Sequence, residues 1–286
     1  MEIGICFNLF DKRFSRYGEN RYKKIREYGF TNIDFSLADT NSLFYTLPED
    51  EAISLLKSEK ALMDESGIKV SQVHGPWRWP ARDFEKEDRE ERMEKMQKSI
   101  RLMKALDCDN FVIHPIMPYG VNEAGTPDAE KTWKLNLEFM TRLLDYAKEY
   151  DVYICLENMP MLEFSISEPR DILRFVKEIN DEHFKICLDT GHVGVFLNGI
   201  SPAQAIREMG KEIRTLHIHD NQKGYDMHNF PRVGILDWDE IATALKETGY
   251  KGVFSSESFL PFDISDKAFD AMCIAHYEIL NDIVNR

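Results

Sequence analysis

Short apolar or β-branched runs alternate with longer stretches of helical period along this chain, and the pair recurs eight times. The runs fall at residues 3–7, 31–35, 68–73, 110–113, 152–156, 185–188, 213–219 and 252–255. The apolar spacing between and after them predicts helices over 19–28, 48–66, 84–106, 129–150, 169–179, from 201 onward, 238–248 and 267–284. Gly29, Gly67 and Gly249 stop three of these helices, and Ser201-Pro202 is a cap and first-turn pair that starts another. Parallel strands need a crossover between them, so strand-helix alternation points to a parallel α/β sheet. Eight units in 286 residues favour a closed (β/α)8 TIM barrel over a doubly wound sheet, which would show fewer strands and a glycine-rich first turn. No Gly-x-Gly-x-x-Gly or P-loop pattern occurs, and no Pro/Gly/Ser-rich linker divides the chain. The expectation is one domain over residues 1–286.

Charge and cysteine usage narrow the partners. Lys+Arg number 36 against Asp+Glu 50, a formal net charge of -14, which opposes a phosphate backbone in general. Cys6, Cys108, Cys155, Cys187 and Cys273 are odd in number and widely spaced, and they read as reduced core residues of a cytosolic protein. No apolar run approaches the length of a membrane span, and the first residues enter a strand with no charged leader. A cytoplasmic protein with no membrane partner is expected; the sequence leaves the oligomeric state open, a homo-oligomer included.

The polar residues fall in a pattern. His74, His114, Glu157, Asp189, His217 and Glu257 each lie at or just past the end of a predicted strand. In a parallel barrel those ends share one rim, where active sites are built. A strand-end histidine is often only a satisfied structural group, and a strand-end aspartate is often the cap of the next helix. Six at corresponding places in successive units are not independent accidents. The densest stretch is 216–228, where strand alternation would put His217 and His219 on one face, with Asp226 and His228 following two apart. Histidine and carboxylate side chains at this density suit a divalent metal, and mixed ligation is compatible with Mn, Mg, Co or Zn.

These motifs carry a resemblance. Glu157 in Leu-Glu-Asn, Asp189-Thr190-Gly191-His192, His217-Ile218-His219-Asp220, and Asp226-x-His228 followed by Pro231-x-x-Gly234-x-x-Asp237-Trp238 resemble the xylose isomerase-like TIM-barrel superfamily over essentially the whole chain. That superfamily includes sugar and sugar phosphate isomerases and epimerases, inosose dehydratases and DNA-repair enzymes of the endonuclease IV type. The resemblance implies that Glu157, Asp189, His217 and Glu257 are metal ligands. It also makes His74, His114, His192, Asp226 and His228 candidates for additional metal or substrate ligands, the positions that complete a three-zinc cluster in the nuclease branch.

The loop over 36–45 has no lysine or arginine to meet phosphates, which disfavours a nucleic-acid partner, although Lys12, Arg13, Arg16, Arg78 and Arg82 stand near other strand ends. In 75–80, Trp77 and Trp79 flank Arg78, a grouping suited to a sugar ring and an anionic substituent. The resemblance therefore implies a metal-dependent isomerase or epimerase of carbohydrate metabolism, acting on a sugar or sugar phosphate by proton transfer through a metal-stabilised enediolate. Glu157 and Glu257 would be its acid and base. His219 and His192 would orient substrate hydroxyls or hold the carboxylates. An inosose dehydratase- or lyase-type enzyme is the alternative, with a three-zinc AP endonuclease behind it. His183 and His276 lie away from the strand ends and receive no role.

Overall fold

The computed structural model describes residues 1–196, 199–222 and 224–286; Lys223, inside the 216–228 stretch, lies outside the described residues with Leu197 and Asn198. The eight strands are β1 (Ile3–Phe7), β2 (Asn32–Ser36), β3 (Lys69–His74), β4 (Asn110–Ile113), β5 (Tyr153–Glu157), β6 (Phe184–Asp189), β7 (Ile213–His217) and β8 (Phe254–Ser256). They pair in parallel in the order β7-β6-β5-β4-β3-β2-β1-β8. The ring is completed more loosely, where Ile218 N donates to Ser255 O at 2.8 Å and Glu257 N to Ile218 O at 3.0 Å. Helices such as Glu49–Ser66, Pro127–Lys148 and Asp266–Asn285 cover the outside. The fold is the expected (β/α)8 barrel.

Strand alternation separates two apolar regions. Outward residues such as Ile154, Leu156, Ile186, Leu188 and Leu216 are buried in one large core between strands and helices. Full burial of each contributes about 1.5–3 kcal/mol. Inward residues Val112, Cys155 and Cys187 form a second, small cluster inside the barrel. Two residues further along each of those strands, the inward positions are His114, Glu157 and Asp189. The polar layer is thus the top storey of the barrel interior, standing on an apolar floor.

Most boundaries move by one or two residues from the expected ones. The larger difference is at β7, which ends at His217 rather than His219. Past that point the chain is irregular, with only isolated bridges at Ile218 and Asp220. Three short helices were not legible as periodic segments: Lys12–Ser15, Leu43–Thr46 and Thr190–Val195. All five cysteines are free, and four are buried. No helix among the described residues is long and apolar enough to cross a membrane.

Candidate metal centre

Glu157, the last residue of β5, is the junction of the site. Its Oε1 meets His217 Nδ1 at 3.0 Å and its Oε2 meets His114 Nε2 at 3.0 Å, with His74 Nε2 at 3.6 Å from the same Oε2. Around it the donors form three main groups, each with its ligand atoms within 4.8 Å of one another: His74, His114 and Glu157; Glu157, Asp189, His217 and Glu257; and His192, His219, Asp226 and His228; a fourth grouping, Glu157, Cys187 and His217, shares two members with the second. All the residues the sequence put forward as ligands are therefore brought together. His219 joins the third group rather than sharing a face with His217, because the strand has ended between them.

For four of the imidazoles an outward bond assigns the tautomer. A carbonyl or carboxylate oxygen only accepts, so the facing ring nitrogen carries the hydrogen. His74 Nδ1 donates to Gly75 O at 2.9 Å, His192 Nδ1 to Asn158 O at 2.7 Å, His228 Nδ1 to Glu257 O at 2.9 Å and His217 Nε2 to Asp34 Oδ2 at 2.8 Å. In the neutral ring the other nitrogen is then a bare lone pair, and it points inward. His192 Nε2 and His228 Nε2 both aim at Asp226 Oδ2, at 3.5 and 3.4 Å, while His74 Nε2 lies 3.2 Å from His114 Nε2. Lone pairs converging on carboxylate oxygens repel unless a proton or a cation lies between them. This is the donor arrangement of a metal site whose outer hydrogen bonds orient the ligands, and the residues fit a divalent ion.

With protons in place of a cation, the titrations follow the same logic. Burial opposes charge on His192, but Asp189 and Asp226 outweigh it and raise the imidazole to about 10. Burial likewise opposes His228, which Asp226 and Glu257 lift to about 9. Burial works against the Glu157 carboxylate too, yet His217 and His114 hold it well below the ordinary range. Asp189 is held down against its burial by His192 and His219. His114 goes the other way, pushed down to about 4 by burial.

Two glycines permit this packing. A Cβ on Gly191 would lie 1.9 Å from the His219 ring, and one on Gly234 would lie 2.1 Å from Asp220 Oδ1. Asp220 receives Trp238 Nε1 at 2.7 Å and Leu236 N at 3.1 Å, so the Gly234-x-x-Asp237-Trp238 pattern ties down the loop that carries Asp226 and His228. His228 itself has φ 50°, an uncommon left-handed conformation for a side-chain-bearing residue.

A cavity of about 400 Å³ opens above the donors. His74, His114, Glu157, His192, Asp226, His228 and Glu257 contribute to its floor and walls. Trp77 and Trp79, stacked at 6.0 Å, form one side, and Met159 and Met161 also line it. The methionines were not foreseen. Arg78 is placed differently from the expectation: it turns away from the two rings to pair with Glu91 at 3.1 Å and lines a separate small recess. His219 is fully buried against Asp189 and does not line the cavity, so it is below the reach of a substrate hydroxyl. No lysine or arginine is among the described lining residues. His276, given no role, is buried with Nε2 2.9 Å from Ser256 Oγ and its ring stacked on Phe230.

Asp34 is the main residue that sequence reasoning missed. It is 1% exposed, and besides His217 it accepts from Gln72 Nε2 at 3.0 Å. Its signal was an acidic residue at an inward position of β2, two places before the strand end.

Among proteins of known sequence, the D-psicose 3-epimerase of Enterocloster bolteae is 25% identical over 268 residues, covering 91% of this chain and 83% of that protein. Some other matches are partial: with an uncharacterized protein of Methanocaldococcus jannaschii, 29% identity over 154 residues spans only 54% of this chain and 52% of that one. The crystal structure of D-psicose 3-epimerase with D-tagatose from Clostridium cellulolyticum superposes with TM-score 0.78 at 19% identity over 99% of each chain. That of the IolI protein with a bound zinc atom does so with TM-score 0.74 at 20% identity, over 99% of this chain and 98% of that chain. The family model described as xylose isomerase-like TIM barrel matches residues 22–273, and with the barrel and its rim of histidines and carboxylates this chain belongs to that family.

Proposed function

We propose that the protein is a metal-dependent sugar isomerase or epimerase that moves a proton at a carbon next to a carbonyl. The observation that carries this reading is the four-donor group Glu157, Asp189, His217 and Glu257 beneath a cavity walled by tryptophan, with no lysine or arginine among its described lining residues. A divalent ion bound there would supply Lewis acidity toward adjacent substrate oxygens, which makes the neighbouring C–H acidic enough to ionise. The kinship with D-psicose 3-epimerase supports sugar as the substrate class, and the zinc of the IolI structure supports a metal.

The chain's own residues then have distinct tasks. Both contacts from Glu257 to imidazole use Oε2, at 3.4 Å to His217 and 3.7 Å to His228, which leaves Oε1 available to take a proton from a substrate carbon. Glu157 has both oxygens engaged by imidazoles, so it can return a proton only at the expense of one of those contacts. Trp77 and Trp79 offer faces for the apolar side of a sugar ring and keep water from the reacting carbon. Asp34 holds His217 with Nδ1 facing the ligand group.

The two further donor groups favour a second reading, metal-assisted cleavage of a phosphodiester as in the nuclease relatives implied by the sequence. The described lining argues against it, because a phosphate backbone would find no positive partner among those residues. The test is direct. Protein purified without chelator is expected to carry divalent metal and to incorporate solvent deuterium into one or more of a panel of ketoses, ketose phosphates and inososes. Three zinc ions per chain with cleavage of an abasic-site duplex and no exchange would replace the proposal.

Replacement of Asp34 by asparagine is expected to weaken metal binding about 10–100-fold, the usual range for an outer partner of a ligating histidine. Competitive titration with a chromophoric chelator measures it. An unchanged affinity would remove Asp34 from the site.

A further inference from the structure

A second cavity, of about 410 Å³, lies beside the first over the loops that follow β1 and β2, and Ser36 lines both. Each alone is large enough for a small molecule, and together they provide about 800 Å³, the upper part of the small-ligand range. A single hexose would leave the second space to water. The chemistry of its walls says what kind of group would fill it.

Phe10 is 44% exposed and rests on buried Phe44 with ring centroids 5.1 Å apart, so one aromatic face is presented on a firm backing. Around it are polar groups with capacity to spare. Asn8 uses its Oδ1 to accept from Phe10 N at 3.0 Å, which leaves its amide hydrogens. Asp39 accepts from Asn41 N through Oδ1 at 2.9 Å, which leaves Oδ2. The Ser42 hydroxyl is buried with no hydrogen-bond partner in the protein, a cost that a bound hydroxyl would relieve. Asp11, the other acid lining the space, is already paired with Arg13 at 2.6 Å. Neutral and acidic acceptors around an aromatic platform, with no lysine or arginine among the described lining residues, match a polyhydroxylated neutral group and disfavour a phosphate.

We infer that the substrate is a sugar bearing a second neutral, hydroxylated unit, a glycoside rather than a free or phosphorylated monosaccharide, with the second unit seated on Phe10. This rests on the proposed sugar chemistry for the first cavity, and the two can fail separately. The probes are D-fructose, D-fructose 6-phosphate and glucosyl-fructose disaccharides linked through O4 or O6 of the ketose. Calorimetric titration of metal-loaded protein should give at least one disaccharide a Kd about tenfold or more below that of D-fructose. Phe10→Ala should erase that advantage without changing the Kd for D-fructose, while Leu162→Ala, at the rim away from this cavity, should change neither. Equal binding of D-fructose and every disaccharide, tighter binding of the phosphate, or an equal loss for both ligands in Phe10→Ala would overturn the inference. Solvent-deuterium exchange on the same probes is the separate readout: its absence from all of them would sink the isomerase reading, and the Kd ratios would still decide the second subsite.

Discussion

Glutamine in place of Glu157 is expected to lower turnover by about three orders of magnitude or more. The range for loss of a positioned proton carrier alone is about 10²–10⁴-fold. Here the same change also removes the negative charge toward which His217, His114 and His74 converge. An amide could donate to one of those imidazole lone pairs, but it offers a cation a single neutral oxygen and no charge, so the carboxylate cannot be copied by its isostere. Glu257→Gln should be nearly as severe, and the double variant scarcely worse than either, because groups acting as a unit are not additive. The measurement is deuterium exchange into substrate with metal at saturation and metal content determined on the same sample. Near-normal exchange in both variants would rule out proton transfer by this pair.

Chelation should abolish exchange and lower the melting temperature by roughly 10 °C. A ligand held at about 1,000 times its Kd adds about 4 kcal/mol to the folded state, and each kcal/mol is worth about 2–4 °C in a large domain. The effect should grow with pH in a defined direction. In the metal-free protein His192 and His228 are raised above the ordinary imidazole value, to about 10 and about 9. Their charged form therefore stabilises that state fully below the unfolded pKa of about 6.5, and the contribution is lost as pH rises through 9 and 10. Metal entering the third donor group must expel the same protons, so affinity strengthens as they become easier to remove. Both trends widen the gap in melting temperature between loaded and stripped protein from pH 6 to pH 9. A gap that narrows over that interval would mean that these imidazoles are not ligands.

Much of this was legible before any coordinates, for a geometric reason. Parallel strands in a barrel bring all their C-terminal ends to one rim, so counting to the end of each apolar run was enough to gather His74, His114, Glu157, Asp189, His217 and Glu257. What escaped depended on conformation beyond the strands or on contacts across the barrel. Asp34 lies 183 positions from the His217 it supports, and nothing local marks the pairing. Arg78 looked like part of an aromatic clamp because Trp77 and Trp79 flank it in sequence, whereas Glu91 on the next helix draws it aside. His219 was misplaced for a related reason: two-residue periodicity stops when hydrogen bonding stops, and at Ile218 the chain has left the strand. Asp226 and His228, by contrast, were picked out by the density of histidine and carboxylate in 216–228 and by the motif resemblance, whose Asp220 and Trp238 are joined by a hydrogen bond.

The junction between β7 and β8 has a bearing on how the molecule breathes. Elsewhere neighbouring strands are zipped by parallel ladders, two of them with a register shift, but this edge is joined around the isolated bridge between Ile218 and Ser256. His217 stands on one side of the gap and Glu257 on the other, with ligand atoms in the same donor group. A cation shared between them would act as a clasp on an open bracelet, so that the place where the ring parts most easily is also the place where catalysis requires it shut. Occupancy of the site and closure of the barrel then become one equilibrium, and a protein stripped of metal would start to open at its own active site.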